Sequence, residues 1–420
     1  MSPRPLAIGF VGSGFITRFH IQSLIAVRDC TVAAVAGRHL GRAQEACQLA
    51  KDLSLGNPKA YDDVASMVAD PNVDAIWICA TNDSRIPVME AIAAGHANRE
   101  QPLKGIACEK PLARNLREAL QLQQMAEKLG VATGYLEDMV FAPHLQRGKE
   151  IIWRRAVPIA GRPYLARAAE EHGGPHSAWF WQGEVQGGGA LLDMMCHSLE
   201  AARWLLTEPG APRNSLTPIA VSATIAGLKW TQPRFAEVLQ QRYGGSVDFH
   251  NRPSEDFSRA TVIWQTEDGQ ELLTEVTDSW SYVGAGLRHT FELQGPEYAM
   301  NCDLGRTGLE VFLSREIRGE AGEDLVEKQN AEQGLMPVAP DETSHYGYVG
   351  ENRHFVQAFQ HGHPAELDFQ AGVDVTRLMM ACYWSAEEGR TVDPRDPHLE
   401  DFVPAVARGT WKAQTAGSRE

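Results

Sequence analysis

Apolar residues follow two regimes along this chain. The run Leu6 to Val11 has no 3.6-residue period and ends in GSGFITRFH, which predicts a buried strand turning at glycines into a helix. CTVAAVAG (residues 30–37) is followed by the helical pattern LGRAQEACQLAKDL, and VDAIWICAT (73–81) by SRIPVMEAIAAG. KGIACEKPLA leads into NLREALQLQQMAEKLG, whose apolar spacing and closing Gly130 predict a capped amphipathic helix. Strands alternating with helices predict a doubly wound parallel sheet, an α/β architecture, over residues 1–136. Beyond VATGYLED the period changes. RPYLARAAEEH, RATVIWQTEDGQELLTEVTDSW and RHTFELQG alternate with period two around the turn EDGQ, which predicts an antiparallel sheet in a second, α+β domain over residues 137–420. A helical block, ENRHFVQAFQHG and QAGVDVTRLMMACYWSAEEGR, closes it, with a surface tail after that. The polar stretches Thr231 to Asp256 and Gly319 to Tyr346 read as insertions or mobile loops. No internal repeat is evident.

Composition narrows the partners. The 420 residues are 43% hydrophobic and 22% charged, and no apolar run is long enough to span a bilayer. A formal charge of −15 argues against nucleic acid and for a small ligand. Seven scattered cysteines (30, 47, 79, 108, 196, 302, 382) form no CxxC pair and read as reduced residues. The N-terminus has no separate apolar segment with a cleavage site, so a cytoplasmic protein is expected.

VGSGFI carries the first candidate chemistry. A glycine turn between strand and helix lets backbone N–H groups meet a pyrophosphate, the mark of a Rossmann dinucleotide site. Gly12 would make the bend and Gly14 the close approach, with Phe15 and Ile16 opening the helix; Thr17 occupies the third fingerprint position, where Gly or Ala is usual. At the end of the second strand AVAGRHLGR holds no acid for the ribose hydroxyls. Arg38 stands there, which leans the expected cofactor, NAD or NADP, towards NADP; the alternative is a solvated surface arginine. CEKPLA sets Glu109, Lys110 and Pro111 at the end of a strand where ligands of such sheets sit, and Lys110 is either a cation for a substrate hydroxyl or a surface lysine ahead of a helix with Pro111 in its first turn.

In GGGALLDMMCHSLEAARWLL, Asp193 and His197 share a helical face at i and i+4, behind glycines 187–189 that would let the chain pass close to a cleft. Together with IGFVGSGFITRFH and ACEKPLA, in this order and at these separations, it resembles the glucose-fructose oxidoreductase and inositol dehydrogenase (Gfo/Idh/MocA) family of nicotinamide-dependent sugar oxidoreductases. EDFSRATVIW resembles a strand of that family's large open sheet, and nearly the whole chain fits.

The resemblance implies an oxidoreductase moving hydride between NAD(P) and a ring hydroxyl of a sugar, cyclitol or glycoside. It implies that Lys110 touches the reacting hydroxyl, that Asp193 orients the sugar and that His197 is the general base. Imidazole titrates near neutral pH and the lysine would stabilise a developing alkoxide, as that chemistry requires. The resemblance further implies cofactor contacts at Thr81 and Asn82, whereas Arg85 replaces the family's histidine in TNDSRIP. EEHGGPHSAWFWQGE offers His172, His176, Trp179 and Trp181 as sugar-binding groups, the indoles for apolar ring faces and the imidazoles for hydroxyls; Tyr135 and Glu137 are further candidates. A metal site on His172, His176, Asp193 and His197 is set aside because Gly-Gly-Pro interrupts the histidine pair. The rival readings are a redox-neutral NAD-dependent glycosidase acting through a transient keto-glycoside, and a cofactor-bound regulator without activity. An open sheet with one apolar strand face uncovered would favour a homodimer or homotetramer.

Overall fold

The computed structural model describes residues 4–306, 308–314, 325–329 and 331–413. Two compact units emerge. The first comprises residues 1–142 and 346–374, the second 143–345 and 375–420, where a division at residue 136 with no return of the chain was expected.

In the first unit β1 (Leu6–Val11), β2 (Cys30–Ala36), β3 (Lys59–Tyr61), β4 (Ala75–Ile78), β5 (Gly105–Glu109) and β6 (Ala132–Leu136) form one parallel sheet in the order β3-β2-β1-β4-β5-β6. All residues of β1, β4 and β5 are buried, as expected of strands covered on both faces. The connecting helices are α1 (Phe15–Ser23), α2 (Leu40–Asp52), α3 (Val64–Ala69), α4 (Arg85–His96) and α5 (Leu116–Leu129). α5 has the predicted cap, Gly130 in the left-handed conformation at φ 64°, and at its other end Asn115 Oδ1 accepts the Glu118 N–H. Pro111 therefore lies outside α5. The order reverses between β1 and β4, the switch point at which such sheets bind ligands.

The second unit begins with α6 (Pro143–Ile151) and the one-turn α7 (Val157–Ala160). Its sheet is built from β7 (Leu165–Glu171), β8 (Leu216–Ala226), β9 (Phe257–Thr266), β10 (Glu271–Ser279), β11 (Arg288–Gly295) and β12 (Tyr298–Asp303), in the order β12-β11-β7-β10-β9-β8. Only β7 and β10 pair in parallel; the other neighbours are antiparallel, and EDGQ turns β9 into β10 with Gly269 at φ 86°. One-turn α8 (Gly183–Gln186) precedes α9 (Ala190–Leu206), which packs on β7 and β10. α10 (Pro233–Arg242) stands where a loop was expected. It brings Ala236 and Leu239 into a buried cluster with Trp181, Trp230, Phe249 and Trp280, so aromatic packing outweighs the polar composition of that stretch. β13 (Glu310–Leu313) and β14 (Gly334–Pro337) pair antiparallel in a two-stranded sheet, and α11 (Glu342–His345) is one turn. Much of the other expected loop, and the end of the tail, lie outside the described residues.

The sheet face turned away from α9 is mainly polar. Arg167 reaches both Glu275 (2.5 Å) and Glu292 (3.4 Å) on the flanking strands, with Arg259, Thr261, Thr277 and Thr290 around them. The apolar face from which a dimer or tetramer was argued is thus not what this sheet presents.

α12 (Tyr348–His361) belongs to the first unit because its aromatics replace absent side chains on two strands: a Cβ at Gly105 would meet Phe359 at 2.4 Å, and one at Gly134 would meet Phe355 at 2.7 Å. α13 (Phe369–Glu388) contains the division between the units.

α9 was expected to be amphipathic, yet every residue from Ala190 to Leu206 is buried. It is pinned at both ends. At its start Glu255 Oε1 accepts the N–H groups of Gly189 (2.9 Å) and Leu191 (3.1 Å) and the Tyr383 hydroxyl (2.6 Å). A Cβ at Gly188 would lie 2.1 Å from the Tyr383 Oη, and one at Gly189 would lie 2.3 Å from the Glu255 carbonyl oxygen. These glycines therefore admit Glu255 and Tyr383. Gly188→Ala should cost about 2 kcal/mol of stability by overpacking, and Tyr383→Phe in the same chain should restore part of it, as urea unfolding would read.

At the far end Glu200 takes both Arg203 (2.6 Å) and Arg213 (2.7 Å). Burial alone would raise its pKa, but the two guanidinium groups prevail and hold it at about 2, against an ordinary 4.5. The folded chain thus releases this proton more readily than the unfolded one, so the contribution is complete above pH 4.5 and disappears as pH falls towards 2. It should amount to roughly 3 kcal/mol. Glu200→Gln should melt lower than wild type at pH 7 and lose correspondingly less on acidification, a comparison that thermal melts across pH would make.

Candidate active site

In the first unit the turn after β1 has the geometry a pyrophosphate needs. Gly12 sits at φ 107°, and a Cβ there would lie 2.5 Å from the Cys79 carbonyl oxygen. Gly14 is the N-cap of α1, with open space where a Cβ would go and no side-chain cap on the helix, so the first-turn N–H groups face outward. Thr17 is fully buried and donates its hydroxyl to the Gly12 carbonyl at 3.0 Å; the missing third glycine has become a clamp on the turn. Phe15 is exposed and stacks on Phe19, Ile16 is half-buried, and Arg38 is exposed just after β2. These residues fit a dinucleotide. Gly12→Ala should weaken NAD binding at least about tenfold, since a non-glycine residue there costs about 1–3 kcal/mol in backbone strain before its clash, and titration calorimetry would measure it.

Thr81 caps a single turn in which Asn82 is buried. Arg85, the residue that departs from the family pattern, is buried too and donates Nη2 to the Lys110 carbonyl at 3.2 Å and Nε to the Ala80 carbonyl at 3.5 Å. It ties the end of β4 to the end of β5. Glu109 is 5% exposed, its Oε2 accepting the Lys110 backbone N–H at 3.1 Å and its Oε1 lying 2.7 Å from His20 Nε2. Burial pushes this carboxyl up, but the His20 bond and the Lys110 and Arg85 charges together hold it below the ordinary value. Tyr135 and Glu137 are buried at and just beyond the end of β6.

In the second unit Asp193 lies in the first turn of α9 rather than at its cap, which is Gly189, and its Oδ2 accepts Trp280 Nε1–H at 3.1 Å. His197, one turn on, is 3% exposed, with Nε2 4.0 Å from Glu170 Oε2; the other Glu170 oxygen is 3.1 Å from His289 Nε2. Asp278 accepts the Ser198 hydroxyl at 2.6 Å, and burial pushes its carboxyl well above the usual range. His172 is buried and its Nδ1 accepts the Gly174 N–H at 3.0 Å, leaving the ring proton for Nε2 in the neutral form. His176 Nδ1 is 2.9 Å from Lys328 Nζ.

The two tryptophans diverge. Trp179 is half-buried and stacked on Phe180, whereas Trp181 is 1% exposed among Trp230, Phe249 and Trp280 and donates Nε1–H to the Pro175 carbonyl. Trp181 thus anchors the loop, and Trp280, which touches it, carries that order to Asp193. Sequence reasoning missed His20, Glu170, Asp278, Trp280 and His289. Their signal was a polar residue at a position whose neighbours are buried, which a single sequence does not mark.

Comparison with known proteins decides the family. Residues 6–135 match the model described as an oxidoreductase family with an NAD-binding Rossmann fold, and residues 159–296 match the GFO/IDH/MocA C-terminal domain. The chain belongs to the GFO/IDH/MocA oxidoreductase family. Myo-inositol 2-dehydrogenase of Thermotoga maritima is 26% identical over 48% of this chain and 55% of its own length. D-glucoside 3-dehydrogenase of Escherichia coli K12 is 26% identical over 60% of this chain and 69% of its own. The chain thus spans little more than half the length of the first of these relatives. The crystal structure of GenD2 from gentamicin A biosynthesis, in complex with NAD, is 25% identical with a TM-score of 0.72, over 93% of this chain and 96% of that one. Among the described residues of this family member no helix is long and apolar enough to cross a membrane.

Proposed function

We propose that this chain is a nicotinamide-dependent dehydrogenase acting on a ring hydroxyl of a sugar, cyclitol or glycoside. The observation that carries the proposal is the tight Gly12 bend beside the open, uncapped N-terminus at Gly14, located at the reversal point of the parallel sheet. Bound NAD would supply the acceptor for a hydride from a carbinol carbon. Gly12, Gly14, Phe15, Ile16, Thr81, Asn82, Glu109 and Lys110 are the residues proposed to hold it. Arg38, exposed where an acid would select NAD, favours NADP over NAD by offering a guanidinium to a 2′-phosphate.

The remaining roles belong to side chains of this chain. The Lys110 ammonium stabilises negative charge growing on the substrate oxygen, and His197 takes the hydroxyl proton. Asp193, fixed by Trp280, accepts a hydrogen bond from a neighbouring sugar hydroxyl. His172, His176 and Trp179 supply further polar and aromatic contacts to the ring.

Incubation with NAD or NADP and a panel of sugars, cyclitols and aryl glycosides tests this reading through the mass of the product. A product two hydrogens lighter, formed with equimolar reduced nicotinamide, is expected. Release of an aglycone without net cofactor reduction would overturn it.

A further inference from the structure

His20 belongs to no part of the dinucleotide turn, yet it is fully buried and touches the EKP motif. Its tautomer follows from its neighbours. The Trp77 indole can only donate, and its Nε1–H meets Asn352 Oδ1 at 2.9 Å. The Asn352 amide nitrogen therefore faces His20 Nδ1 at 2.9 Å, with the Ser23 hydroxyl oxygen (2.9 Å) and the Tyr348 carbonyl (3.0 Å) also within reach. A donor-only amide nitrogen offers His20 Nδ1 no acceptor, so the ring proton is on Nε2 and is donated to Glu109 Oε1 at 2.7 Å. The other Glu109 oxygen accepts the Lys110 backbone N–H.

We infer that His20 is a positioning residue: oriented by Asn352 and Trp77, it fixes the Glu109 carboxylate, whose other oxygen holds the Lys110 N–H, and so sets the negative charge next to Lys110. The inference rests on the role proposed above for Lys110. The charged and titratable groups that face Glu109 are His20 from α1, Cys79 after β4, Arg85 from α4, Cys108 and Lys110 along its own strand, and Glu351 from α12. Glu351 Oε2 is 3.9 Å from His20 Nδ1, beyond hydrogen-bond reach, and burial followed by the Asp138, Glu109 and Glu137 carboxylates drives its carboxyl well above the ordinary range. That leaves the ring proton on Nε2 as the one available to Glu109.

Two substitutions separate position from mere polarity. Glutamine places an amide N–H where Nε2 was, whereas asparagine keeps a polar group near Asn352 but stops short of Glu109. Lys110 acylation by trace acetic anhydride at pH 8, followed by peptide mass spectrometry, reads the amine without any substrate. Weakening the hold on a neighbouring carboxylate lowers a lysine pKa, so His20→Asn should accelerate Lys110 labelling about tenfold and lower kcat about tenfold. His20→Gln should stay within about threefold of wild type in both. If both variants label and turn over alike, the inference fails. Should no sugar be turned over even by wild type, the function proposed above fails while the labelling result still decides the role of His20. Nitrogen-15 NMR of the imidazole in the unmodified protein adds a reading independent of any variant: an Nε2–H tautomer is expected, and an Nδ1–H tautomer would overturn the inference.

Discussion

His197→Ala is expected to lower kcat about a thousandfold, within the range general-base removal typically costs, while NAD affinity stays within about threefold. The imidazole is 3% exposed on a helix buried on all sides, with a carboxylate oxygen 4.0 Å from Nε2. Water has little access to replace the missing base, and the nearby Glu170 favours the imidazolium once a proton arrives. Alanine removes the ring without touching the capping of α9, because Glu255 and Tyr383 hold its start and the Glu200 cluster its end. Steady-state kinetics with a folded variant read the effect, and a loss below about threefold would remove His197 from the mechanism.

Lys110→Met comes next, with an expected loss of about a hundredfold to a thousandfold in kcat, the usual effect of deleting a group that stabilises developing charge. Methionine preserves length and flexibility. The backbone should hold its place because Arg85 retains the Lys110 carbonyl and Glu109 the Lys110 N–H, so a melting temperature near that of wild type is the control. Lys110→Arg should recover only part of the activity, since a planar guanidinium does not reproduce a compact ammonium. Equal activity of the methionine variant and wild type would exclude charge stabilisation by this side chain.

What could be read from the sequence was what repeats locally. Buried strands such as β1 are continuous apolar runs, α5 announces itself by Asn115 and Gly130, and the Asp193 to His197 spacing is visible in five residues. β3 is three residues long and its signal is too short to register. The glycines before α9 were legible as close approaches but not as approaches to Glu255 and Tyr383, the tyrosine lying 194 positions from Gly189. The His20 to Asn352 contact spans 332 positions, and no periodicity connects them. Composition misled at α10, because three tryptophans from separate segments stabilise a polar helix that looks like a loop on its own. It misled again at the sheet face, where positions of β7, β10 and β11 include Arg167, Glu275 and Glu292 paired across strands.

The central claim is hydride transfer from a ring carbon to a nicotinamide. The most direct measurement is incubation of the purified chain with NAD and, separately, NADP in the presence of fully C-deuterated glucose, methyl glucoside and myo-inositol, with mass spectrometry of the nucleotide. Reduced nicotinamide carrying one deuterium from the sugar is the predicted result. Failure of both nucleotides to bind, or of both to acquire deuterium from any of the three, would contradict the account.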